Sequence, residues 1–250
     1  MTGAPGVTSI ATGAILPHAP LLVEDIAGAD LERELAPIRM AARAIDLAAT
    51  DAIVVLSAHG RVDGVYARNR ADFQLYGVPD HEITWRTDAT VAEELAAAWD
   101  VEVIEDPVDH GVAVPIALSA PRVPVVAACL EESSGADDER ALRFARALLQ
   151  IGAGRTVAFV ASVNTSAGLS PRAPLTELPG ARMLEEDLRR TLETDAGALN
   201  GLVHALASTG GSCSAGPLSA FGTLFAAREV SVLAHAWPVG VGYMVATVPN

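Results

Sequence analysis

Three apolar runs constrain this chain most: residues 51–57 (DAIVVLS), 123–130 (VPVVAACL) and 156–163 (TVAFVASV). They are rich in β-branched residues and lack polar alternation, as expected of parallel strands buried on both faces of a sheet. A fourth run, residues 8–16 (TSIATGAIL), enters Pro17-His18-Ala19-Pro20, where the prolines bar further sheet pairing. Ile38, Ala42, Ile45 and Ala49 recur at helical spacing, which predicts a helix over 38–49 with Pro37 at its start. Further helices are predicted over 90–99, 112–118, 138–151 and within 182–207, with a short one ending near 227. Further strands are predicted over 101–105, 230–236 and 241–248.

This alternation predicts one α/β domain over residues 1–250, a central mostly parallel or mixed sheet flanked by helices. Half of the residues are hydrophobic but only 4% are aromatic, so Ala, Val, Leu and Ile must build the core. The net charge of −14, with no basic cluster, disfavours nucleic acid as a partner. No run reaches the roughly 18–20 apolar residues of a membrane span, and residues 1–10 carry no basic leader pattern. The expected location is cytoplasmic, with Cys129 and Cys213 as reduced thiols.

His18 and His59 both stand where an apolar strand breaks into a Pro- or Gly-containing loop. In open α/β sheets that edge carries functional side chains, so the two imidazoles form a candidate metal-binding pair. A divalent ion on two neutral imidazoles calls for an anionic ligand. Cys213, within Gly-Gly-Ser-Cys-Ser-Ala-Gly-Pro, offers a thiolate, while Glu24, Asp63, Asp109, Glu177 and Glu185 offer carboxylates. Nothing local separates them. His81, His204 and His235 read as structural histidines, and His110 as a further loop histidine. The polar stretch 61–82 is long for a plain connection and is expected to border a ligand site.

Three segments, ILPHAPLL (15–22), VVLSAHG (54–60) and DHGVAVP (109–115), resemble in order and spacing the class III extradiol ring-cleavage dioxygenase superfamily. The C-terminal part, with CSAGP (213–217) and VGY (241–243), is similar to the Memo-like branch. The resemblance implies a single α/β domain and a non-haem metal, Fe(II) with copper as the alternative, bound by His18 and His59, with Cys213 in the Memo-like ligand position. It also implies a small aromatic, catecholic substrate oxidised by O2, with His110 as an active-site histidine. Where that superfamily carries its main acid/base histidine, this chain has Ala167. Loss of a positioned acid/base costs roughly 10²- to 10⁴-fold in rate. Two readings follow: a metal-dependent oxidoreductase, or a catalytically impaired member that binds metal and acts in regulation or interaction. A homo-oligomer or partner subunit is compatible with either. A metal-free hydrolase using Ser57 or Ser166 lacks the GxSxG elbow at both serines.

Overall fold

The computed structural model describes residues 9–24, 26–132, 138–151 and 154–249. In chain order the elements are β1 (Ser9–Leu16), α1 (Ala29–Arg43), β2 (Ala52–Gly60), β3 (Gly64–Tyr66), β4 (Arg70–Phe73), β5 (Val78–Thr84), α2 (Ala89–Trp99), β6 (Glu102–Ile104) and α3 (His110–Ser119). There follow β7 (Val125–Glu131), α4 (Asp138–Leu148), β8 (Thr156–Ser162), α5 (Ala181–Thr194), α6 (Val203–Ser208), α7 (Ala215–Leu224), β9 (Ser231–Ala236) and β10 (Tyr243–Val248). Most of the first ten residues, read above as lacking a leader, lie outside the described residues.

Eight strands form one mixed sheet in the order β6-β3-β7-β2-β8-β1-β10-β9. The expected apolar runs become its centre: β7, β2, β8 and β1 are mutually parallel neighbours. Antiparallel β10 and β9 extend one side, and β3 joins β7 antiparallel on the other. Two apolar layers sandwich this sheet. Leu95, Phe144, Leu188 and Phe221 of α2, α4, α5 and α7 cover one face, and Leu35 and Ile38 of α1 with Val112 and Ile116 of α3 cover the other. Small buried side chains such as Ala14, Ala158 and Ala161 let the helices approach the sheet closely in this aromatic-poor core.

The first helix departs from expectation, running over Ala29–Arg43 instead of 38–49, with Pro37 in its interior. Pro37 and Arg33 are both exposed, so water can satisfy the Arg33 carbonyl that the proline leaves without an amide donor. The polar stretch 61–82 folds into β3 and a separate β4–β5 hairpin. Among the described residues, no helix is long and apolar enough to cross a membrane.

Because the four central strands are parallel, their C-terminal ends share one edge. His18 lies two residues beyond β1, His59 is the penultimate residue of β2, Ser162 ends β8, and Glu132 follows β7. A crevice at this edge is a general property of open α/β sheets.

Candidate metal centre

Pro17 and Pro20 turn the chain out of β1 and leave His18 almost wholly buried, at 1% exposure. Its backbone N–H donates to Asn164 Oδ1 at 3.2 Å. Arg39, reaching from α1, fixes the next turn through the carbonyls of Leu21, Leu22 and Val23. The Ser162 hydroxyl donates to the Gly111 carbonyl, so its oxygen can only accept from His18 Nδ1, 3.0 Å away. That bond places the His18 proton on Nδ1 and leaves a bare lone pair on Nε2.

His59 turns its own Nε2 toward that lone pair, at 3.2 Å. Its Nδ1 lies 3.7 Å from a Glu132 carboxylate oxygen, an electrostatic partner beyond hydrogen-bond length. The α3 N-terminus comes this close to β2 because Gly111 has no side chain: a Cβ there would sit 2.1 Å from Ser57 Oγ and 3.0 Å from the His59 ring. Asp109 caps α3 by accepting the Gly111 N–H at 2.9 Å, and His110 is the helix's first residue. The His110 ring centroid thereby lies 4.8 Å from that of His59 and 5.6 Å from that of His18.

Cys213 arrives from the far end of the sequence. Ser212 Oγ donates to the Asn164 carbonyl, and Ser214 Oγ accepts the Asn164 N–H, both at 3.0 Å. This double stitch holds the intervening Cys213 Sγ 3.4 Å from His18 Nε2. All four residues singled out in the sequence, His18, His59, His110 and Cys213, therefore meet. Ala167 lies in a neighbouring loop, its N–H on the Gly210 carbonyl, and brings no proton-transfer group.

Burial alone would depress the basicity of His59, but hydrogen bonding to Cys213 and the charges of Cys213, Asp109 and Glu132 outweigh it and raise its pKa to about 9. Cys213 is exposed as a residue, yet its sulfur is enclosed enough for desolvation to oppose ionisation. The His18–His59 imidazole pair, with its positive charge and hydrogen bonding, wins and holds the thiol well below its ordinary pKa. Burial, reinforced by the positive charge of the His18–His59 pair, drives His110 down to about 3. Cys129, fully buried, is pushed the other way and stays a thiol.

The donor set fits a metal ion. Among the described residues, His18, His59 and His110 offer ring nitrogens within 4.8 Å of one another. Two imidazole nitrogens on a tetrahedral ion stand about 3.3 Å apart, and an imidazole nitrogen and a thiolate about 3.5 Å apart, for bonds of about 2.0–2.1 and 2.3 Å. The observed 3.2 and 3.4 Å match those edges.

The alternative carboxylates are engaged elsewhere, apart from Asp109. Glu24 pairs with Arg43, Asp63 with Arg140, Glu177 with Arg182, and Glu185 with His235. Ser57 and Ser166 are buried; Ser57 Oγ accepts the His59 N–H and Ser166 Oγ donates to the Gly210 carbonyl. Sequence reasoning missed Ser162, Asn164, Glu132 and Tyr76 as groups that orient the site. None lies in a pattern that declares its partner, although Ser162 and Asn164 end and follow an apolar run as the histidines do.

A cavity of 440 Å³ opens beside His59 and His110. Tyr66, Tyr76, Val108 and Cys129 are among its lining residues, and the stretch 61–82 borders it through Arg61, Arg68 and Arg70.

No protein-family model matches the chain, and no curated protein does. A similar solved structure is the crystal structure of an uncharacterised protein, JW3007, from Escherichia coli K12, with a TM-score of 0.60 and 19% identity over 96% of this chain and 100% of that one. At this identity the likeness is one of fold.

Proposed function

We propose that this chain is a non-haem metal protein, with the ion held by His18, His59 and Cys213, that oxidises a small aromatic substrate with O2 in the adjoining cavity. The observation that carries this reading is His18 Nε2 standing at metal-ligand edge lengths from both His59 Nε2 and Cys213 Sγ, beside a cavity partly walled by aromatic rings. Two imidazoles and a thiolate suit Fe(II), copper or zinc better than Mg²⁺ or Ca²⁺. Fe(II) is the choice drawn from the extradiol resemblance, copper the alternative.

A bound ion of this kind would supply Lewis acidity toward a catecholate and O2. The chain's own residues do the remaining work. Tyr66, Tyr76 and Val108 exclude water from one side of an aromatic ring, and His110, neutral across the physiological range, can exchange a proton with a substrate hydroxyl. In extradiol cleavage both atoms of O2 enter the product as one ring C–C bond breaks, so no external reductant is consumed.

The test is anaerobic reconstitution with Fe(II), followed by O2 uptake with a panel of catechols. Uptake that disappears in His110→Ala supports the proposal, and metal-loaded protein that consumes no O2 with any catechol refutes the catalytic part. Ala167 favours a second reading, a metal-binding regulatory or interaction protein. Ring cleavage gained in Ala167→His would show a site intact except for its proton carrier. No gain in a folded, metal-loaded variant favours binding.

A further inference from the structure

The three imidazoles are not equivalent, and the difference lies in two hydroxyl groups. Ser162 gives its proton to the Gly111 carbonyl and must accept from His18 Nδ1. Tyr76, at the tip of the β4–β5 hairpin, brings its phenol oxygen to 2.9 Å from His110 Nδ1. Among the described residues that is the only hydrogen-bond partner of the phenol.

We propose that Tyr76 is a positioning residue: its O–H donates to His110 Nδ1, keeps the ring proton on Nε2, and makes His110 a donor to the cavity's occupant instead of a metal ligand. This rests on the metal-centre reading above and deepens it, since the anionic third ligand then falls to Cys213. It also supplies a fixed hydrogen-bond donor to a site in which Ala167 offers no polar side chain.

The direction of the bond follows from the chemistry of the two partners. Burial, with the charge of Asp109, raises the Tyr76 pKa, so the phenol keeps its proton. A phenol is a good donor and a poor acceptor, while the bare nitrogen of a neutral imidazole is a good acceptor. The competing influence is Asp109 Oδ2, 3.5 Å from His110 Nδ1, which favours a proton on that nitrogen. That carboxylate commits its other oxygen to the Gly111 N–H, and burial raises its pKa, so the shorter phenol contact dominates. His110 Nε2 has no hydrogen-bond partner among the described residues and is the nitrogen left for a ligand. Tyr76 itself is 39% exposed, and its ring packs edge-on to His110 with centroids 5.7 Å apart. The turn that presents it closes through Gly77, at φ 85°.

Nitrogen-15 spectroscopy of the imidazoles in metal-free protein near neutral pH tests the proposal without any metal or turnover. The expected wild-type result is opposite tautomers: His18 with its proton on Nδ1, His110 with its proton on Nε2. In Tyr76→Phe, His110 is expected to lose its single-tautomer pattern while His18 is unchanged. A proton on His110 Nδ1 in the wild type overturns the proposal, and so does an unchanged His110 pattern in Tyr76→Phe. Because the wild-type spectrum is decisive by itself, a misfolded variant cannot rescue the idea. Failure of the protein to bind metal would leave this result standing and refute only the earlier reading.

Discussion

In the metal-free protein a proton takes the place that an ion would occupy. His59, with a pKa of about 9, carries a positive charge at pH 7 between the His18 lone pair and the Cys213 thiolate. A metal needs the neutral imidazole, so binding must expel that proton. At pH 7 only about one chain in a hundred has His59 unprotonated, given two units between pH and pKa. Affinity is therefore expected to rise about tenfold per pH unit from 7 to roughly 8.5 and to level near 9, each unit being about 1.4 kcal/mol. Cys213, already a thiolate, contributes no proton.

Zn(II) titration calorimetry in two buffers of different ionisation enthalpy counts the protons directly, with release of about one expected at pH 7.5. The stability of the metal-free fold should not follow the same curve. His59, raised, stabilises the fold fully below its unfolded value and loses that contribution as pH rises through about 9. Cys213, lowered, contributes fully above its unfolded value and loses that contribution as pH falls through its folded one. As pH rises toward 9 the two slopes oppose, His59 losing and Cys213 gaining stabilisation, so the fold's stability changes less with pH than the affinity does. Cys213→Ser removes the largest influences that raise His59 and leaves only the charges of Asp109 and Glu132, so proton release above pH 7 should fall sharply. A pH-independent affinity between 7 and 8 with no proton release in the wild type would refute the reasoning.

Other perturbations test the scaffold. Gly111→Ala should push His59 off its position and weaken Zn(II) binding by at least tenfold, since the new Cβ would meet Ser57 Oγ at 2.1 Å; titration against the wild type measures it. Arg39→Ala deprives the carbonyls of residues 21–23 of a buried donor and should cost about 3 kcal/mol in urea unfolding. His235→Ala leaves the fully buried Glu185 carboxylate without the imidazole at 2.6 Å and should cost about 3–5 kcal/mol, read in the same way.

The central sheet was legible because residues 51–57, 123–130 and 156–163 need burial on both faces, which only a parallel core provides. His18 and His59 are legible as loop-edge residues because the runs 8–16 and 51–57 break at the Pro- and Gly-containing segments that carry them. The first helix was misplaced because its apolar spacing was followed C-terminally from Pro37, whereas the exposed Pro37 costs little inside α1. The Glu185–His235 pair was not legible, because nothing on β9 says that one of its partly covered residues meets a carboxylate from α5. Tyr76 and Ser162 were hidden for a related reason: hydrogen-bond direction depends on which third group each hydroxyl can reach. Its local sequence leaves Cys213 one anionic candidate among several, the resemblance singles it out, and the serines on either side fix it only because Asn164 lies between them.

X-ray absorption at the edge of a bound metal tests the centre most directly, using chain reconstituted with Zn(II) or, anaerobically, Fe(II). The expected spectrum contains a sulfur scatterer at about 2.3 Å and nitrogen scatterers at about 2.0–2.1 Å, with the sulfur lost in Cys213→Ser. A spectrum without sulfur in the wild type, or a chain that retains no metal after reconstitution, would contradict a centre built from His18, His59 and Cys213.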